Sequence, residues 1–131
     1  MQTGTQTATA SKKMLWTGRV ISALPVLMLF FGGVMAFLKP PVVLQSMAHF
    51  GYPESLVIPL GIVEIVCALI YAIPRTSVFG AVLLTAYFGG ATATHVRIGE
   101  NFAGPVIFAI LVWIGLYLRE GRLRELAPLR K

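Results

Sequence analysis

The stretch SLVIPLGIVEIVCALIYAIP, residues 55–74, decides the fold. It holds 20 residues and a single ionised type, Glu64, in an otherwise apolar run. A helix rising about 1.5 Å per residue needs roughly 20 residues to cross about 30 Å of hydrocarbon. The run lacks the apolar and polar alternation of a barrel strand, and in lipid the backbone must satisfy its own polar groups, so a helix is the remaining solution. Three further stretches read the same way: Val20 to Leu38, Thr76 to Thr94 and Asn101 to Leu118. The whole chain of 131 residues is 56% apolar and 12% charged with a mean hydropathy of +0.79, which places it outside ordinary water-soluble domains. The expected fold class is an all-α membrane protein, a four-transmembrane-helix bundle with spans at 20–38, 55–74, 76–94 and 101–118.

Charge orients this bundle, because Lys and Arg concentrate in cytoplasmic segments. Lys12, Lys13, Arg19, Arg75, Arg119, Arg122, Arg124, Arg130 and Lys131 share one side if the termini do, against Lys39 and Arg97 on the other. Both termini are therefore expected to be cytoplasmic. The bias also explains the net charge of +6 without a nucleic-acid partner, for which no basic-aromatic interleaving or binding signature is present. The partner implied is the lipid bilayer. The first span is longer than a signal-peptide core and is followed by Lys39-Pro40-Pro41 rather than a small-x-small cleavage site, so it reads as a retained helix. Residues 1–13 read as a disordered polar segment, 14–118 as the transmembrane domain, and 119–131 as a basic tail with Arg119, Arg122 and Arg124 set to meet anionic headgroups. Between the first two spans, Val42 to Phe50 could form a short interfacial helix; Pro74-Arg75 makes a tight inner turn. The lone Cys67 excludes an internal disulfide and a Cys-x-x-Cys centre, and no metal site is expected.

Glu64 is tenth of twenty in its span, near the bilayer midplane, where an ionised side chain costs about 3 kcal/mol even on the lower scales. It must face protein or water. Val57, Gly61, Cys67, Ala68 and Tyr71 share its helix face, and on the third span Thr85 and Tyr87 reach about the same depth. Two roles are open: a proton carrier or hydrogen-bond anchor for a lipophilic ligand, or a neutral carboxyl that fastens two helices. Pro59 could loosen the outer half of this helix by freeing a carbonyl.

The segment from Gly89 to Arg97 is the second unusual feature. Gly89 with Ala93, and Gly90 with Thr94, are small-xxx-small pairs suited to close helix contact, and His95 and Arg97 then present polar heads at the outer surface. They could hold the polar end of a quinone, lipid or peptide with Glu100 and His49, or simply anchor the helix at the interface. A bis-His haem is a poor fit, because His49 lies in a Pro- and Gly-bounded loop. No dinucleotide fingerprint, Walker loop or Ser-His-Asp set can be assembled. Phe30, Phe31, Trp113 and Tyr117 read as packing and interfacial aromatics.

Pro59 to Glu64 in the second span, Tyr71 to Arg75 at the inner turn and, above all, Tyr87 to Arg97 in the third give a sequence that resembles the DoxX-like family of small four-helix membrane proteins. The resemblance covers all four spans. It implies a multi-pass protein of the bacterial inner membrane, some relatives being membrane subunits of quinone-linked oxidoreductases or parts of thiol and oxidative-stress systems, while distant eukaryotic relatives resemble chaperones or cargo receptors. On this basis the leading expectation is a quinone- or lipophile-binding component of a membrane redox or stress-response system. Glu64 would serve as the proton carrier, and His95, Arg97, Thr85, Tyr87 and Gly90 would line the ligand site. The chain shows no redox centre of its own and no covalent cofactor, so a membrane or peripheral redox partner would supply electrons. A homo-oligomer is compatible with the sequence. A non-catalytic assembly or interaction protein is the competing expectation, and a proton or small-solute path is a third.

Overall fold

The computed structural model describes the backbone from Gln2 to Leu126 and side chains from Lys12 to Leu126, so the last five residues of the expected basic tail lie outside the described residues. Every regular element is helical: α1 (Gln2–Leu38), α2 (Pro41–Phe50), α3 (Val57–Ala72), α4 (Ser77–Arg97), α5 (Ala103–Arg119) and α6 (Gly121–Leu126). Three stretches are long and apolar enough to cross a membrane: Lys12–Leu38, Glu54–Ala72 and Pro74–Arg97. The fourth apolar helix, Ala103–Arg119, has 17 residues and is shorter, about 25 Å at the helical rise. The helix of α1 begins at Gln2, in the segment whose sequence reads as disordered.

The four long helices close a ring in which α1 packs on α3 and α5, and α4 packs on α3 and α5. Neighbours run antiparallel, since Gly18 meets Arg119 while Leu29 lies beside Phe108, and Tyr71 meets Gly80 while Glu64 reaches Tyr87. The core consists of Leu29, Cys67, Ala68, Tyr71, Ala81, Leu84, Phe88, Val112 and Leu116. On α3 the buried positions are Val57, Gly61, Cys67, Ala68 and Tyr71, the face shared with Glu64 by helical spacing. On α4 the buried stripe runs Ser77, Gly80, Ala81, Leu84 and Phe88, and then stops. The two remaining turns of α4 face something other than packed side chains.

Glycines set close helix contacts at the end of the bundle that carries the turn at Pro74–Thr76. A Cβ on Gly18 would fall within 2.8 Å of the Arg119 amide and 2.7 Å of the Gly115 carbonyl, and one on Gly80 would strike the Tyr71 backbone. At the same end a polar knot joins all four helices. Arg119 donates from Nε to Ser22 Oγ at 2.9 Å, from one terminal nitrogen to Ser77 Oγ at 3.0 Å, and from the other to the Tyr71 carbonyl at 2.9 Å. Its guanidinium carbon lies 4.6 Å from the centre of the Tyr71 ring, and the Tyr71 hydroxyl donates to the Val112 carbonyl at 2.6 Å. Arg119 is thus a bundle residue and not the headgroup contact expected from the sequence, because its position one helical turn past Gly115 aims it back between α1, α3 and α4. Arg124 is likewise engaged, capping the end of α5 through the Tyr117 and Leu118 carbonyls at 2.6 and 2.9 Å. Only Arg122 of that trio is largely exposed.

Pro59 does not loosen α3 as expected. The helix starts at Val57 after a tight turn at Glu54–Leu56, so Pro59 sits in the first turn, where its missing amide would have had no intrahelical partner.

Candidate functional site

Above Phe88 the ring opens into a cavity of about 520 Å³. Gly32 and Ala36 of α1, Val57, Leu60 and Glu64 of α3, and Ala86, Tyr87, Gly90, Ala91, Thr94 and His95 of α4 form its walls. The roof is α2. Its residues Val42, Val43, Ser46, Met47 and Phe50 all line the cavity, and their spacing of one, four, five and eight places them on a single helical face. None of α2 is buried, so this helix lies over the bundle and is not part of its core. Two left-handed residues bound it, Lys39 at φ 51° and Gly51 at φ 83°. Gly51 suits its place, closing α2 with hydrogen bonds from its own amide to Ala48 and from the Tyr52 amide to Met47.

At the deep end of this cavity the Glu64 carboxyl and the Tyr87 phenol lie side by side and interact electrostatically. Gly32 makes the room: a Cβ there would lie 2.5 Å from Glu64 Oε2. Three helices therefore meet at the carboxyl, and Glu64 is only partly buried because one side of it faces the cavity. A second, smaller cavity of about 270 Å³ also reaches Glu64, Tyr87 and Ala91. Its other walls are Met28, Leu29, Phe88, Gly104, Pro105 and Phe108.

The outer rim is polar. His95 Nδ1 pairs with the Ala91 carbonyl at 2.7 Å, and its ring packs on Phe50 with centroids 4.7 Å apart. Tyr52 and Thr94 hydroxyls are 2.7 Å apart, and Thr94 in turn donates to the Gly90 carbonyl. Arg97 donates to the Phe50 carbonyl at the C-terminal end of α2, and His49 Nε2 meets Glu100 Oε1 at 2.6 Å. The last turn of α4 and the segment after it thus hold down one end of the roof helix.

Of the residues singled out from sequence, the structure brings Glu64, Tyr87, Gly90 and His95 to one cavity. Arg97 lies beyond the rim and serves α2. Thr85 is elsewhere: its hydroxyl donates to Ala81 and accepts from the Trp113 indole at 2.6 Å, which ties α4 to α5. Helical counting gives depth along the axis but not azimuth; Thr85 and Tyr87 are about 200° apart around α4. Gly89 and Gly90 make no close helix contact, for a Cβ on either meets nothing within 4 Å among the described residues. Their sequence spacing suits an interface, but at Gly90 the neighbour that would complete it is replaced by the cavity. Gly32, Ser46, Met47, Phe50 and Tyr52 join the site from the structure alone. The single-face spacing of Val42, Val43, Met47 and Phe50 is the sequence signal that points to the roof.

Among the described residues no three His, Cys, Asp or Glu side chains gather as a metal site. What the cavity offers is a largely apolar lining with a carboxyl, a phenol, an imidazole and hydroxyls, able to hydrogen-bond a polar head and exchange a proton with it. No curated protein and no solved structure matches the chain. A protein family does match, over residues 20–115, which include α2, α3 and α4 whole, α1 from Val20 onward, and α5 as far as Gly115. The chain belongs to the DoxX-like family and is a multi-pass membrane protein.

Proposed function

We propose that this protein binds a quinone or similar lipophile in the cavity beneath α2, with its polar head at Glu64 and Tyr87, as a component of a bacterial inner-membrane redox or stress-response system. The carrying observation is the cavity of about 520 Å³ with a carboxyl and a phenol side by side at its deep end. Its size falls in the range of small-molecule sites, and its walls follow their usual pattern of apolar side chains with a few convergent polar groups. Glu64 accepts or donates the proton that accompanies reduction or oxidation of the head, and electrons come from a partner. His95 adds a polar contact at the rim.

In this reading the chain crosses the bilayer four times, with the polar knot of Arg119 inside and α2 on the outer surface. The distribution of Lys and Arg supports it. The shorter α5 crosses by local thinning of the bilayer and snorkelling of its flanking residues. In a Cys67→Ala background, cysteine at Gln45 or Asn101 should react with an impermeant thiol reagent on intact cells, and cysteine at Arg122 should not; the reverse pattern would sink the orientation.

The ligand is tested by extracting purified protein for quinone. The parent should retain it in proportion to protein. Glu64→Gln keeps a hydrogen-bonding group beside Tyr87 and should stay folded while binding quinone about tenfold more weakly. The competing reading, an assembly protein in which Glu64 only fastens α1, α3 and α4, draws on its contact with Gly32 and Tyr87. Phospholipid alone in the parent, with Glu64→Leu lowering the melting temperature, would favour that reading instead.

A further inference from the structure

Binding of a head beneath α2 leaves the smaller cavity unused, yet it shares Glu64, Tyr87 and Ala91 with the larger one. Apart from that carboxyl and phenol its walls are apolar: Met28, Leu29, Phe88, Pro105 and Phe108, with Gly104 at its edge. A closed apolar cavity of about 150 Å³ is large enough for benzene, and an open one with apolar walls still offers dispersion contacts to a hydrocarbon lying in it. At about 270 Å³ this one holds a good deal more hydrocarbon than that. The polar groups of the site are distributed unequally. Ser46, Tyr52, Thr94 and His95 all belong to the larger cavity, and the smaller has only the shared pair.

We infer that the two cavities are one site for a single amphiphile, whose hydrogen-bonding head occupies the larger cavity and whose apolar chain passes Glu64 and Tyr87 into the smaller one between α1, α4 and α5. The ligand class is therefore narrower than a lipophile in general: a polar ring or comparable head carrying an aliphatic chain that contributes directly to recognition. This rests on the proposed binding of a lipophile beneath α2. Gly104 supplies the means to test the chain separately from the head. A Cβ placed there meets nothing within 4 Å among the described residues, and Gly104 stands in the first turn of α5, so a larger side chain can enter the smaller cavity without displacing backbone. Gly90 has the same freedom in the larger cavity.

The experiment measures binding of two probes to purified full-length protein in one detergent: a methylated benzoquinone without a side chain, and the same ring bearing a decyl chain. The parent should bind the decyl compound at least about tenfold more tightly. Gly104→Leu should remove that advantage while leaving the chain-free ring unchanged; Gly104→Ala, which only adds a methyl group, should retain most of it. Gly90→Leu should weaken both probes. Melting temperatures of the variants confirm that each is folded. The micelle is common to all proteins, so a difference between parent and Gly104→Leu reports the cavity and not partitioning. If the parent binds the chain-free ring but Gly104→Leu leaves the decyl advantage intact, the two-cavity site is wrong and the lipophile reading survives. The two-cavity site is equally wrong if the parent binds both probes with the same affinity, as when a phospholipid acyl chain already fills the smaller cavity. If the parent binds neither probe, the lipophile reading itself has failed.

Discussion

The two ends of this bundle use the same residue type in different ways. At the inner end Gly18, Gly80 and Gly115 let backbones touch, and Arg119 joins Ser22, Tyr71 and Ser77 across four helices. At the α2 end Gly33 and Gly61 still bring α1 and α3 together, but Gly90, in the cavity roofed by α2, and Gly104, in the smaller cavity, touch nothing within 4 Å among the described residues. Closing one end and opening the other gives a helical frame that holds its walls without filling the cavity. Small residues in membrane helices are commonly taken as contact points. Here glycine marks helix contact at both ends, and volume beside α4 and α5 at one of them.

The sharpest way to break this comparison is one substitution made at both ends. Gly80→Leu forces a side chain into the Tyr71 backbone and should prevent assembly, a loss of more than about 4 kcal/mol. Gly90→Leu points into the cavity and should leave the melting temperature close to that of the parent. Thermal denaturation in detergent, followed by size-exclusion chromatography, measures both. Similar losses for the two variants would mean that Gly90 is a packing position after all.

The fold is legible in the sequence to the extent that hydrophobic length and charge decide it. Residues 55–74 and 76–94 correspond to α3 and α4 within a few positions, and the helical face drawn through Glu64 is the buried face of α3. The pairing of Glu64 with Tyr87 follows from depth, since both lie at about one level between the turn at Pro74–Thr76 and the outer surface. What depth does not supply is azimuth, and so counting along the helix groups Thr85, at the same level, with the site although it binds Trp113. Arg119 misleads for a related reason. A basic residue at the end of a span reads as interfacial by composition, whereas its partners come from α1, α3 and α4, more than 40 residues away in sequence. The cavity itself leaves no direct trace in the sequence, because an unfilled volume is a property of four helices together.

The inner knot can be tested by itself. Arg119→Met keeps an unbranched apolar side chain but deletes the guanidinium over Tyr71 and the donors to Ser22, Ser77 and the Tyr71 carbonyl. The two serines keep other partners, Ser22 the Tyr71 hydroxyl and Ser77 the Tyr71 and Ile73 carbonyls, so the loss is less than three full hydrogen bonds. We expect about 2–3 kcal/mol of destabilisation in denaturant or thermal unfolding. Arg119→Lys should recover only part of it, since a single ammonium cannot span the same fork of acceptors. Full recovery by Lys would show that the charge, and not the planar geometry, closes this end.

The smallest effect belongs to the outer end, where α2 is held by contacts open to solvent. His49 and Glu100 approach to 2.6 Å, but their side chains are 56% and 45% exposed, and an exposed pair gains little over its hydration. His49→Ala should therefore change stability by no more than about 0.5 kcal/mol, a quarter or less of the effect expected at Arg119. The variant also leaves the other two ties of α2 in place, Arg97 to the Phe50 carbonyl and Tyr52 to Thr94, so the roof should stay closed. Amide exchange along α2 resolves what a melting temperature averages over. It should be faster than along α3 and α5 in the parent, as expected for a helix with no buried residue, and only modestly faster again in His49→Ala. Exchange in α2 as slow as in α3 would show that the roof is as rigid as the frame beneath it, and the contrast between a closed end and an open one would then lie in the side chains alone.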